Sequence, residues 1–511
     1  MSRPGFVLEV DDRTPPLLIG EGAGCRLERL PVGTRVAYPA ESLPGVPHVG
    51  EAIDQALSAP LGAGSEPAAP LATRLKPGMK LAITFTDGSR PAPSAAAPDL
   101  RGRVLEQVLE LAAAAGVDDV RLVAANGLRR KQTSDELRGL VGERVHRSFA
   151  VQQRLTAHDA EAPDLVEVAP GVLLNKAVAE ADLVVNVVLV DQPQRTGWDQ
   201  LATGLTGTAT AWAQTGLGGD PAVRAEVAGV LADELEVFQI EVVLDQQLFP
   251  PQLGFLSRRE WEWKVRDRVA FLGFRQFQAI APHRVRRMYF DTNPAPYGVL
   301  QVAAGDVTAV GAASAELVTR QQGVRLGEPA DVLLAGPAPV TEHNIGAVMN
   351  PLIAAWDTLG RAFNAYTGKP AVREGGAMIL FHPLTQAFNS RFHTASADFF
   401  ADVLPATADT GRIRSEFEPK FLGDEWYANL YRTQNAFHGV HPLQLWYDTR
   451  AAVEHCGDII WVGADRSSAE RMGFRAASTL ADALEIASAT VGRNPAITHL
   501  HTPPSMLAEL S

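Results

Sequence analysis

Lys80-Leu81-Ala82-Ile83-Thr84-Phe85-Thr86, followed at once by Asp87-Gly88-Ser89-Arg90-Pro91, is the stretch whose reading decides the fold. Seven residues with apolar, β-branched and aromatic side chains read as a strand, and a turn of Asp, Gly, Ser and Pro ends it. A helical pattern then runs from about Leu100 to Ala115 and stops at Gly116, the residue type that accepts left-handed backbone after a helix. The chain repeats the sequence of events: strand Val120 to Ala125, polar turn Asn126 to Thr133, and a helix whose first turn carries Ser134, Asp135 and Glu136. Strand, turn and helix in alternation predict a parallel α/β sheet.

Working outward, Val172 to Leu174 and a short helix around Ala177 to Ala181 lead into Leu183 to Val190, whose apolar run suits a strand covered on both faces. A helix Pro221 to Leu235 and a strand Phe238 to Leu244 follow. From Ala330 a second α/β pattern begins: strand Asp331 to Ala335, helix Ile345 to Phe363, strand Ala377 to Phe381, strand Ile459 to Val462 and helix Leu480 to Val491. The expected organisation is an α/β domain over 1–305 with an insertion at 250–300, a second over 306–495, and a tail 496–511 that returns to the first.

The 511 residues carry 46 Lys+Arg against 59 Asp+Glu, a net charge of −13, which argues against a nucleic-acid-binding protein. No apolar run approaches the 18 residues a membrane helix needs, since Leu183 to Val190 contains Asn186 and is bounded by Asp182 and Asp191. No secretory signal is visible at the N-terminus, and two cysteines, Cys25 and Cys456, exclude a disulfide framework, so a cytoplasmic location is expected.

Open α/β sheets bind ligands at the carboxyl ends of their strands. There the two turns place Ser89, Arg90, Arg129, Arg130 and Lys131 near one crevice, groups able to hold a carboxylate or phosphate. Lys176, just before the short helix, is a candidate for covalent cofactor attachment. Other motifs read as structure. Gly20-Glu21-Gly22-Ala23-Gly24 has Cys25 where a dinucleotide motif needs its third glycine, His499 and His501 lack a third ligand nearby, and His455 and Cys456 are sequence neighbours that a strand would point apart. Residues 256–290 hold nine Arg and Lys, Arg284 and Arg287 among them, against three Asp and Glu, with Trp261, Trp263, Phe271, Phe274 and Phe277 interleaved. That segment is either an amphipathic helix packed on its own domain or a homo-oligomer interface.

The turn Thr86-Asp87-Gly88-Ser89-Arg90-Pro91-Ala92-Pro93 resembles the D-x-T-R-P-x-P turn of the nickel-dependent lactate racemase family, with Ser89 in place of Thr. Further segments follow in that family's order. They are Ala125-Asn126-Gly127-Leu128 with Arg130 and Thr133, His158-Asp159-Ala160, Asn175-Lys176 with Glu180-Ala181-Asp182, Gly219-Asp220-Pro221-Ala222-Val223-Arg224, and Ala304-Gly305-Asp306. The resemblance implies two α/β domains around a cleft. It also implies a nickel pincer nucleotide tethered at Lys176, with Asp87 and Ser89 beside the cofactor and Arg90, Arg129 and Arg130 holding a small anionic ligand such as a 2-hydroxy acid. Histidines in that family move the hydroxyl proton during racemisation.

Three departures set this chain apart. Arg129 stands where the family's turn carries a catalytic histidine, and Asp191-Gln192-Pro193-Gln194-Arg195-Thr196-Gly197-Trp198 stands where its metal-binding histidine loop falls. The family's substrate contacts in the second domain fall near Ala347 and Asn350. Neither Gln nor Arg replaces imidazole as a base near pH 7 or as a nickel ligand, so no metal site is expected. The expectation is a divergent member with altered isomerase-type chemistry, or a catalytically silent binding or regulatory protein on the same scaffold. What separates the two is whether one of His158, His343, His382, His393, His438 or His441 reaches the crevice.

Overall fold

The structure is a computed structural model that describes the chain except for residues 1, 23, 65, 218, 220, 365–368, 502–504 and 511 and the side chains at 283, 284, 287, 290 and 291. Ala23 of the glycine turn, Asp220, and the side chains of Arg284 and Arg287 therefore lie outside the described residues. The architecture is α/β, built on two large sheets.

The first sheet has six strands in the spatial order Val299–Gly305, Val237–Leu244, Leu183–Val190, Lys80–Thr86, Asp119–Ala125 and Leu155–Ala157. All neighbours are parallel except the outermost pair, Val299–Gly305 against Val237–Leu244. Chain order reverses between Lys80–Thr86 and Leu183–Val190, which makes the carboxyl ends of these two strands the place where loops diverge and leave a crevice. The helix Leu100–Ala114 buries Val104, Leu105 and Val108 against Leu81, Ile83 and Phe85 on one face. Gly116 follows it with φ +72°. The other face is covered around Val178, Leu201 and Leu231. Asn186, polar within an otherwise apolar strand, is satisfied across the sheet: Thr84 Oγ1 donates to its Oδ1 at 2.6 Å, and its Nδ2 donates to Gln239 Oε1 at 2.8 Å.

The second sheet has seven strands in the order Phe6–Glu9, Arg35–Tyr38, Ile497–Leu500, Ala330–Ala335, Val372–Phe381, Asp458–Val462 and Arg475–Ala477. Its membership corrects the division expected from the sequence. Phe6–Glu9 and Arg35–Tyr38 lie in this sheet and not in the first. Ile497–Leu500, from the tail, inserts between Arg35–Tyr38, which lies within residues 1–305, and Ala330–Ala335. Leu507–Leu510 pairs with Gly323–Gly327. The boundary at 305/306 also shifts, since the helix Val307–Gln322 packs on Val237–Leu244 and Val299–Gly305 of the first sheet. The reason is coverage: its buried face, Val310, Ser314 and Val318, closes a flank that those strands would otherwise expose.

Within the insertion, Val265–Ile280 and His283–Thr292 are helical. Phe271 and Trp263 pack with Leu253, Phe255 and Leu18 in a small cluster of their own. Glu260 ties the insertion to both chain termini: its carboxylate accepts from Leu18 N at 2.7 Å, Tyr38 Oη at 2.9 Å and His501 Nε2 at 2.7 Å. Among the described residues no helix is long and apolar enough to cross a membrane.

Candidate functional site

The turn after Lys80–Thr86 is held from beneath by a buried arginine. Arg101, on the first turn of the following helix, donates through Nη1 to the carbonyls of Thr86 (3.0 Å), Asp87 (2.6 Å) and Arg90 (2.9 Å). Asp99 secures the same guanidinium at Nε (2.7 Å) and Nη2 (2.6 Å). With its backbone fixed, Asp87 accepts from Ser89 Oγ at 2.9 and 2.8 Å, from Arg129 Nη2 at 3.1 Å and from Gln132 Nε2 at 3.3 Å. Arg129 Nε donates to Ser89 Oγ at 2.9 Å. Asp87 and Ser89, expected beside a cofactor, thus hold each other and aim Arg129.

Arg90, Arg129 and Arg195 converge on one small cavity of about 10 Å³ at the reversal point of the first sheet, with Thr86, Asp199 and Gln200 in its wall. Into this cluster the second half of the chain sends Glu342, from the segment after Ala330–Ala335. Arg90 Nε donates to Glu342 Oε2, and Arg195 Nη2 lies 3.5 Å from Oε1. Both side chains of the Arg90–Glu342 pair are about nine-tenths buried. The surrounding guanidinium groups of Arg90 and Arg195 hold the Glu342 carboxyl well below the usual carboxylate range, against the opposing effect of burial. Arg90 Nη2 has no hydrogen-bond partner among the described residues. Beyond the pair lies a second cavity of about 80 Å³, walled by Arg90, Glu342, Asp191, Gln192, Tyr297 and Val340 among others.

A histidine does reach this place, and it comes from the second half. His343 Nε2 is 3.6 Å from Glu342 Oε1, and its Nδ1 shares a hydrogen bond with His441 Nε2 at 3.0 Å. His393 Nε2 donates to the His343 carbonyl at 2.9 Å. Trp356 packs edge-on against His343, and Phe437 stacks on His441 and His393. Burial pushes His343 down to about 3 and His393 down to about 4, and lowers His441 well below the usual value. All three are therefore neutral imidazoles at neutral pH. The Nδ1 atoms of His393 and His441 have no partner among the described residues.

The remaining candidates lie elsewhere. Arg130 is turned away from the crevice: Glu136, of the Thr133/Glu136 capping box, takes its guanidinium, and Phe392 lies beneath it at 4.7 Å. Lys131 pairs with Asp159 at 3.1 Å. His158 is fixed between the Thr206 carbonyl (2.9 Å) and Asn175 Nδ2 (3.1 Å). His438 pairs with Glu161 at 2.9 Å. Asn350 caps the helix Pro351–Ala355. His499 bonds the Leu334 carbonyl at 3.1 Å, and His455 bonds that of Val372 at 2.9 Å.

Lys176 is exposed at the start of a short helix and lines a separate pocket with Lys80, Arg121, Asp159 and Glu180. That pocket shares no wall residue with the arginine cavities. The residues present therefore do not fit the pincer nucleotide: the tethering lysine and the anion-holding arginines open into different spaces, and Gln192 offers an amide where imidazole is needed. Among the described residues no group of three His, Cys, Asp or Glu is arranged to hold a metal ion.

Arg195 and Glu342 are the functional candidates that the sequence did not mark. Arg195 sat in a loop noted only for lacking histidine. Glu342 had no signal at all, because its partner is 252 positions away.

A two-sheet α/β protein with an arginine cluster at the reversal point of one sheet, met by an acidic residue from the other half, is the class these observations define. Residues 29–200 match the lactate racemase N-terminal domain. The lactate racemase apoprotein from Thermoanaerobacterium thermosaccharolyticum shares the fold at TM-score 0.61 and 14% identity, over 97% of this chain and 100% of that one. A Thermotoga maritima protein of known crystal structure superposes at TM-score 0.48 and 12% identity, over 92% of this chain and 100% of that one. No curated protein matches. Residues 29–200 are thus similar to the lactate racemase N-terminal domain, and the chain as a whole shares the fold of the lactate racemase apoprotein.

Proposed function

We propose that this protein binds a small anionic ligand, a 2-hydroxy acid or a nucleotide-derived anion, between Arg90, Arg129 and Arg195, and that its reaction is of the isomerase type. The observation that carries the reading is the convergence of three guanidinium groups on one cavity, two of which already hold an internal carboxylate, Glu342. A ligand carboxylate makes the same charge-assisted contacts as the Glu342 side chain. His343, with Nε2 3.6 Å from Glu342 Oε1, puts an imidazole beside this pair.

The second reading, a binding protein without turnover, is favoured by the separation of Lys176 from the arginine cluster. Titration calorimetry with D- and L-lactate and with inorganic phosphate tests binding, and chiral chromatography of each lactate enantiomer after incubation tests turnover. Binding without interconversion selects the second reading, and no binding of any of the three removes both.

A further inference from the structure

The seven-stranded sheet has a crevice of its own. A cavity of about 430 Å³ lies between the hairpin of Leu17–Gly20 and Cys25–Glu28, the end of the strand Val372–Phe381, and the insertion helix Val265–Ile280. It shares no wall residue with the arginine cluster. Its volume is within the range of small-molecule sites.

Two buried polar side chains line it, each with a polar atom that no protein group meets among the described residues. Gln278 is 6% exposed, and neither its Oε1 nor its Nε2 has a hydrogen-bond partner among the described residues. A buried amide in that condition is costly, and native structures supply it with a partner. His382 is 4% exposed and accepts from Leu384 N at Nδ1, 3.0 Å away. Burial pushes it down to about 3, so the ring is neutral and its one proton sits on Nε2. Opposite that nitrogen stands Gly22, where a Cβ would fall 3.1 Å from Nε2 and φ +71° disfavours any side chain.

Charge and apolar surface complete the wall. Arg275, which has no ion pair among the described residues, and Arg286 line the same wall, and Arg26 is held by Glu21 at 2.5 Å. Met349 and Leu27 supply apolar contact.

We propose that this cavity binds a nucleoside monophosphate, with the base edge on the Gln278 amide, a ring acceptor on His382 Nε2–H, and the phosphate on Arg275 and Arg286. An amide side chain presents an adjacent donor and acceptor that match the N6/N7 edge of adenine, and guanidinium groups match phosphate oxygens. The site does not depend on the reading of the arginine cluster.

The test is titration calorimetry and thermal shift with adenosine 5′-monophosphate, adenosine and inorganic phosphate as separate probes. The monophosphate should bind more tightly than either fragment. Gln278→Leu should weaken it about 5- to 150-fold, the range for one two-point amide–base contact. The same variant should raise the melting temperature of the ligand-free protein, because a buried unpartnered amide is gone. Arg275→Ala, at an exposed position, should weaken the monophosphate but not adenosine. The proposal is overturned by no monophosphate binding at millimolar concentration, by phosphate alone matching the nucleotide, or by unchanged affinity in Gln278→Leu. A lower melting temperature in that variant would show the amide already satisfied, with the same consequence.

Discussion

Replacing Glu342 by Gln should make the protein unstable in anion-poor buffer and then unusually responsive to added anion. The carboxylate lies among Arg90 and Arg195, with both partners of its pair with Arg90 about nine-tenths buried. Breaking a buried pair from one side leaves the other charge uncompensated and costs about 3–5 kcal/mol. A glutamine oxygen still accepts from Arg90 Nε, which places the expected loss near the lower end, about 3 kcal/mol. At roughly 2–4 °C per kcal/mol for domains of this size, the melting temperature should fall by about 6–12 °C. An anion that takes the vacated place at a concentration of 100 times its Kd returns about 2.7 kcal/mol, most of the loss. The wild-type protein should respond less, because there the anion must first displace Glu342. The assay is thermal unfolding of both proteins in chloride-free buffer, titrated with lactate and with phosphate. Equal melting temperatures without anion, or a larger anion response in wild type than in Glu342→Gln, would refute the idea that this carboxylate occupies a ligand's position.

Six fully buried histidines have lowered pKa values from burial: His158, His393 and His499 at about 4, His343 and His382 at about 3, and His441 below the ordinary range. Each takes a proton more readily unfolded than folded, so its contribution is complete above about pH 6.5 and is lost toward pH 4, at about 1.4 kcal/mol per pH unit; urea midpoints that stay flat from pH 7 to 5 would contradict this. Gly127→Ala should destabilise by more than about 1 kcal/mol and loosen Arg129, since φ is +52° and a Cβ would lie 2.3 Å from the Thr203 carbonyl oxygen; wild-type urea stability would count against it. Val265, Val269, Leu272 and Ile280 form an exposed apolar stripe on the outer side of the insertion helix; light scattering should show an oligomer that Leu272→Glu dissociates, and a monomeric wild type would end that expectation. Adding the nickel pincer nucleotide should leave the rate of lactate interconversion unchanged, because Lys176 and Arg90 line different pockets; a rate that rises on its addition, followed by chiral chromatography, would reverse it.

The elements of the first sheet were legible because each is specified within its own few residues. The run Lys80–Thr86, the stop at Gly116 and the Thr133/Glu136 capping box are local facts, and the structure has each of them in place. The sheet assignment of Phe6–Glu9 and Arg35–Tyr38 was not legible, since a four-residue strand carries no information about which distant edge it will join. Arg130 shows a signal that could have been used. A capping box commits Glu136 to the start of its helix, and an arginine six residues earlier can reach that carboxylate, so the crevice had a local competitor for this side chain.

The site itself divides along the same line. Asp87, Ser89, Arg90 and Arg129 follow strands whose ends the sequence marks, so their nearness to one another could be derived from sheet topology alone. What these groups hold is decided by a residue from the other half of the chain. Arg101 directs the turn through backbone carbonyls, and Glu342 enters from a loop with no periodicity, so neither leaves a pattern in sequence. The same separation makes the shape of this turn independent of any cofactor. The turn's backbone depends on Arg101 and Asp99, which involve no cofactor, so the Asp87–Arg90 geometry survives whether or not a nucleotide is attached at Lys176. The turn's geometry is therefore set within the first half of the chain, and the space beside Arg90 by the Glu342 side chain that the second half supplies.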